Sequence, residues 1–117
     1  MEKQDRYKWV KIAETVHEIE FQSNGLTEIK AEDKTICLSV HENVLSAFAA
    51  LCPHASGRLA DGYLDAVGNL VCPLHRYKFN PKNGRNVSGE GYYLKSFPLE
   101  IRKDGVFVGF KENNWFN

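Results

Sequence analysis

Cys52-Pro53-His54 and Cys72-Pro73-Leu74-His75 constrain this 117-residue chain more than any other stretch. As a pattern they read C-x-H-x17-C-x-x-H. Each short segment carries one thiol and one imidazole. Thiolate sulfur and imidazole nitrogen are the softer protein ligands, so four such side chains can close around a metal or an iron–sulfur cluster. A structural zinc site usually pairs its cysteines as C-x2–4-C and its histidines as H-x3–5-H. Here each segment supplies one of each. If the segments face one another, the two cysteines can take one iron and the two histidines the other. A zinc site made of the same four residues, or no metal at all, are the competing readings.

The rest of the chain reads as scaffold for these two segments. The length suits one domain, 1–117. Fifteen basic and fifteen acidic residues balance to a net charge of zero, which gives no argument for nucleic acid or an anionic membrane as partner. The longest apolar stretch, Val44 to Leu51, is far short of a membrane span. Met1 to Arg6 is polar and has no apolar signal core, so the expected location is the cytoplasm. With Cys52 and Cys72 assigned to the site, Cys37 is left alone. No structural disulfide then forms without losing a ligand, which fits a reducing compartment.

Short alternating runs separated by turn signals predict an all-β fold. Strands are expected at Tyr7–Ile12 with Trp9 as core anchor, at Leu26–Lys30, at Thr35–His41 and at Val44–Ala49. In Thr35–His41 the residues Ile36, Leu38 and Val40 share one face, and Thr35, Cys37 and Ser39 the other. Glu42-Asn43 turns that strand into the next as a hairpin. His17 reads as a surface histidine in a polar run, and Cys37 as a small strand residue. Gly57 and Gly62 allow positive φ or close backbone approach. Leu70-Val71 leads into Cys72, Phe79 follows as a core anchor, and Asn80 to Gly84 turns. Val87 to Gly91 reads as a flexible loop. Leu94 to Ile101 reads as a strand interrupted by an edge proline, Pro98. Lys103-Asp104-Gly105 is a hairpin turn into Val106–Phe110. Trp115 and Phe116 in the tail are expected to fold back on the base.

The Cys52–His54 and Cys72–His75 segments resemble the Rieske 2Fe–2S motif, in which two histidines replace two cysteines on one iron. The run C-P-L-H-x-x-x-F, Cys72 to Phe79, is similar to the Rieske ferredoxins that serve bacterial ring-hydroxylating dioxygenases. The resemblance spans roughly Trp9 to Phe110 and is specific from Cys52 to about Gly84. It implies an antiparallel β-sandwich or barrel base with a small cluster-binding subdomain, about residues 50–83, inserted in it. It implies one 2Fe–2S cluster held by Cys52, His54, Cys72 and His75, with the loop at Val87–Gly91 packed nearby. The implied function is one-electron transfer, not catalysis, from a flavin-dependent reductase to a terminal oxygenase, by a protein expected to be a monomer. The small subunit of a larger reductase such as nitrite reductase, and a zinc-stabilised binding module, are the alternatives.

The resemblance also bears on the potential. High-potential Rieske proteins tie their two loops by a disulfide whose cysteines align with Gly57 and Leu74. They donate hydroxyl hydrogen bonds from positions that hold Tyr77 and Phe79 here. Donors to sulfur stabilise the reduced, more negative cluster, so the chain is expected near the bottom of the Rieske range of about −150 to +300 mV. Many family members carry glycine at or next to the position of Arg76. Arg76 and Tyr77 therefore make the docking tip of this chain unusual.

Overall fold

The computed structural model describes residues 6–53, 56–89 and 91–112. Ten strands run through it: β1 (Tyr7–Ala13), β2 (Leu26–Ala31), β3 (Lys34–His41), β4 (Val44–Ala49), β5 (Tyr63–Leu64), β6 (Leu70–Val71), β7 (Lys78–Phe79), β8 (Ser96–Phe97), β9 (Leu99–Arg102) and β10 (Gly105–Lys111). The only helical pieces among the described residues are 3-10 turns at Val16–Glu18 and Leu59–Asp61. All pairing is antiparallel, in three sheets ordered β1-β10-β9, β2-β3-β4-β8 and β5-β6-β7. The fold is all-β, as the patterning predicts.

The middle sheet carries a core on each of its faces. Ile36 and Leu38 of β3 join Ala31, Ala47, Val108 and Phe110, with Phe97 packed against them, facing the β1-β10-β9 sheet. Cys37 points the other way, into a core with Leu26, Phe48, Leu59, Leu70, Phe79 and both Cys52 and Cys72. The register agrees: Cys37 lies opposite Phe48, and Leu38 opposite Ala47. The pleat sends alternate residues to opposite faces, so one strand floors both halves of the molecule. The alternation of β3 is as expected, but neither face is solvent-facing in its middle.

Two tight turns, Glu32-Asp33 and Glu42-Asn43, set the register of the middle sheet. Glu42 and Asn43 both have positive φ, 50° and 68°, which is the geometry of a type I′ hairpin turn. β4 then leads directly into the first ligand segment. The chain returns through the small β5-β6-β7 sheet, so Cys72 follows β6 and His75 precedes β7.

Two expectations are corrected. Trp9 is not a core anchor. Val10 and Ile12 of β1 face the core, and pleating puts Trp9 on the outer face, where it lies across Gly109 and stacks with the Arg102 guanidinium 5.2 Å from its ring centroid. Pro98 does not interrupt one edge strand. It stands where the chain leaves the middle sheet after β8 and enters the outer sheet as β9, and its carbonyl accepts the Gly109 N–H at 2.9 Å. A residue without an N–H suits that crossing, because no ladder bond is lost there. The fold-back of Trp115 and Phe116 lies outside the described residues. His17 is exposed in the first 3-10 turn, as expected of a surface histidine.

Candidate metal centre

The two ligand segments are the same device built twice. The Cys52 N–H donates to the Gly57 carbonyl at 2.8 Å, and the Cys72 N–H donates to the Tyr77 carbonyl at 2.8 Å. Each cysteine thus opens a loop closed by a bond to the fifth residue on. Such tight closure forces unusual backbone. Ser56 in the first loop has φ 57°, and His75 and Arg76 in the second have φ 63° and 56°. Left-handed φ at non-glycine residues costs energy and persists where the surroundings fix it, which is common at functional sites.

The loops bring their sulfurs together. Cys52 and Cys72 are buried in one core cluster. Burial, and then the neighbouring Cys52, push the Cys72 thiol up to about 11. A metal that takes these sulfurs as thiolates must therefore displace protons from them. His75 lies on the exposed rim, with the Tyr77 ring 6.4 Å away and Tyr92 6.0 Å beyond it. Among the described residues no three His, Cys, Asp or Glu side chains converge as they would on a single ion. Two buried sulfurs and an imidazole on the exposed rim are the donor types that an iron–sulfur centre of mixed ligation takes. His54, the fourth expected ligand, lies outside the described residues.

Three further supports hold this arrangement, and none has a local sequence signal. Arg58, just after the first loop, grips Glu28 of β2 through Nε and Nη2, each at 3.0 Å, and reaches Asp61 at 2.9 Å. Gln22 and Asn24 of the β1–β2 connection both donate to the Ala60 carbonyl at 2.9 Å. Asn86 gathers the N–H of Ser88 and of Gly89 and the Ser88 hydroxyl on its side-chain oxygen, while Ser88 Oγ accepts the Lys78 N–H. The last network ties the expected covering loop to β7. Thirty residues separate Arg58 from Glu28, and the turn signal Ser23-Asn24-Gly25 announces a turn without its grip on the site.

The glycines act by close approach. Neither Gly57 nor Gly62 has positive φ. A Cβ at Gly62 would collide with the Val71 carbonyl, so only glycine lets β6 lie against the chain as it enters β5. Gly57 lies under Leu74. The two loops thus meet here through an apolar side chain.

The Rieske 2Fe–2S domain family matches residues 8–98. The ferredoxin component of the alkene monooxygenase system of Xanthobacter autotrophicus is 32% identical over 74 residues, covering 63% of this chain and 61% of that protein. The ferredoxin component of the naphthalene 1,2-dioxygenase system of Pseudomonas putida is 28% identical over 102 residues, covering 86% of this chain and 94% of that one. In fold, the chain is similar to a solved structure titled as a complex of reduced oxygenase and oxidised ferredoxin in carbazole 1,9a-dioxygenase. The TM-score is 0.72 at 21% identity, over 91% of this chain and 97% of that one. The chain belongs to the Rieske 2Fe–2S domain family, and its cofactor is a Rieske-type 2Fe–2S cluster.

Proposed function

We propose that this protein is a one-electron carrier, a ferredoxin that takes an electron from a flavin-dependent reductase and passes it to a terminal oxygenase. The observation that carries the reading is the pair of matched loops, each opened by a buried cysteine whose N–H is bonded to the fifth residue on. Cys52 and Cys72 would hold one iron and His54 and His75 the other. When bound, the cluster accepts and releases a single electron. The chain's own residues fix the loops, exclude water from the sulfurs and leave His75 at the rim, where a partner can reach it. The relatives support the class of partner, because both are named as ferredoxin components of oxygenase systems.

The chain is one domain, 1–117, with residues 50–83 as the cluster-binding subdomain. It works as a cytoplasmic monomer, and among the described residues no helix is long and apolar enough to cross a membrane. The rim suits brief docking: Pro53, Pro73 and Leu74 are exposed, and Arg76 is exposed without an ion pair among the described residues. Arg76 would steer the protein toward an acidic partner surface. The potential is low for the class. Phe79 is fully buried and has no hydroxyl to offer, and the loops lack a disulfide.

Anaerobic reductive titration tests the reading. The natively purified protein should take up one electron per chain and return it to a terminal oxygenase. A colourless protein that holds zinc and takes up no electron would contradict it.

A further inference from the structure

Leu74 stands between Cys72 and His75, yet its side chain is not a ligand and is 44% exposed. An exposed leucine is unremarkable alone. Its contacts are not. A Cβ built on Gly57 would lie 3.0 Å from Leu74 Cγ, 3.1 Å from its Cδ1 and 3.3 Å from the Cys72 sulfur. The Leu74 side chain thus reaches across from the second loop and seats on the bare backbone of the first, beside the sulfur. Gly57 is itself buried, and its carbonyl closes the first loop by accepting the Cys52 N–H. One residue of the second loop therefore lies on the closing residue of the first, beside the Cys72 sulfur.

We propose that Leu74 is a positioning residue that clasps the second ligand loop to Gly57 of the first and keeps water off the Cys72 sulfur. The inference rests on the assignment of Cys52 and Cys72 as ligands. Apolar groups around a metal site control solvent access, and outer residues that orient ligands typically change metal affinity by about 10–100-fold when lost. A glycine is required opposite, because a side chain at 57 would lift the leucine away.

The test compares Leu74→Ala, Leu74→Met and Gly57→Ala, each with its cluster in place, for the rate of iron release to a chelator. The second readout is the coupling of exchangeable deuterons to the reduced cluster in D2O. Leu74→Ala should release iron about tenfold faster and gain deuteron coupling, while the thermal midpoint of the exposed-site variant barely moves. Leu74→Met should stay near the wild type. Gly57→Ala has no φ penalty and should resemble Leu74→Ala. Combining the two alanines should bring the release rate back toward the wild type, because the new methyl fills the space that the leucine leaves. Unchanged release and deuteron coupling in Leu74→Ala would overturn the proposal, and so would a double variant whose defects simply add. If the wild-type protein binds no iron–sulfur cluster, the ligand assignment fails instead, and the two failures are distinct.

Discussion

The two ligand loops share a closing hydrogen bond but differ in how they are rooted. The first loop is tethered by charge and polar groups. Arg58 grips Glu28 and Asp61, and Gln22 and Asn24 hold Ala60. The second loop is rooted by packing: Phe79 is sunk in the core two residues beyond its closing Tyr77 carbonyl, and the Tyr77 ring lies, tilted, between those of His75 and Tyr92. Both rest on one floor made by Cys37 and Phe48 of the middle sheet. A site proposed to hold two pairs of ligands can therefore use one backbone device twice and anchor each copy by different physics. The polar root of the first loop is sensitive to salt, whereas the packed root of the second is not.

The largest test asks whether the loops are equal at the metal. Cys52→Ser and Cys72→Ser should each abolish the cluster, giving colourless protein by visible absorption and iron analysis. Retention by either would make one loop dispensable. Next, Phe79→Ala should undermine the second root, lowering stability by about 3–5 kcal/mol in urea unfolding, since the ring is fully buried.

The shared floor is probed by pH. Burial, and then the Glu28 carboxylate, push the Cys37 thiol up to about 12, against an ordinary value of about 8.5. A neutral thiol favoured in the folded state adds stability that is whole below the unfolded value. That stability is lost as pH rises through the folded one. The folded protein should therefore weaken progressively above about pH 8.5. Cys37→Ala should be flatter over that window by denaturant titration, and parallel curves for the two proteins would refute the assignment. The smallest effect belongs to Arg58→Ala. Its ion pairs are half exposed, so the loss should be slight and should shrink in high salt. Cluster release would quicken less than in Leu74→Ala, and Arg58→Lys would not restore the two-pronged grip.

Much of this was legible in the sequence because the informative features are local. Two Cys–His segments, the Glu42-Asn43 and Asp104-Gly105 turns and the alternation of β3 each sit within a few neighbouring residues. What was not legible depends on tertiary contact. Trp9 alternates like a core residue, and only the placement of the β1-β10-β9 sheet decides which face is outside. Pro98 marks a change of sheet that no window of residues contains. The Arg58–Glu28 grip and the Leu74–Gly57 contact join segments 30 and 17 residues apart. Sequence spacing could suggest that Gly57 mattered, but not what lies on it.

Each loop is proposed to give one sulfur and one imidazole to a single 2Fe–2S cluster. Pulsed electron–nuclear double resonance on the dithionite-reduced protein, grown with nitrogen-15 histidine, tests it most directly. A rhombic signal with two directly bound histidine nitrogens is expected, reduced to one in His75→Cys if that variant keeps its cluster. A reduced cluster with no histidine nitrogen coupling would contradict it.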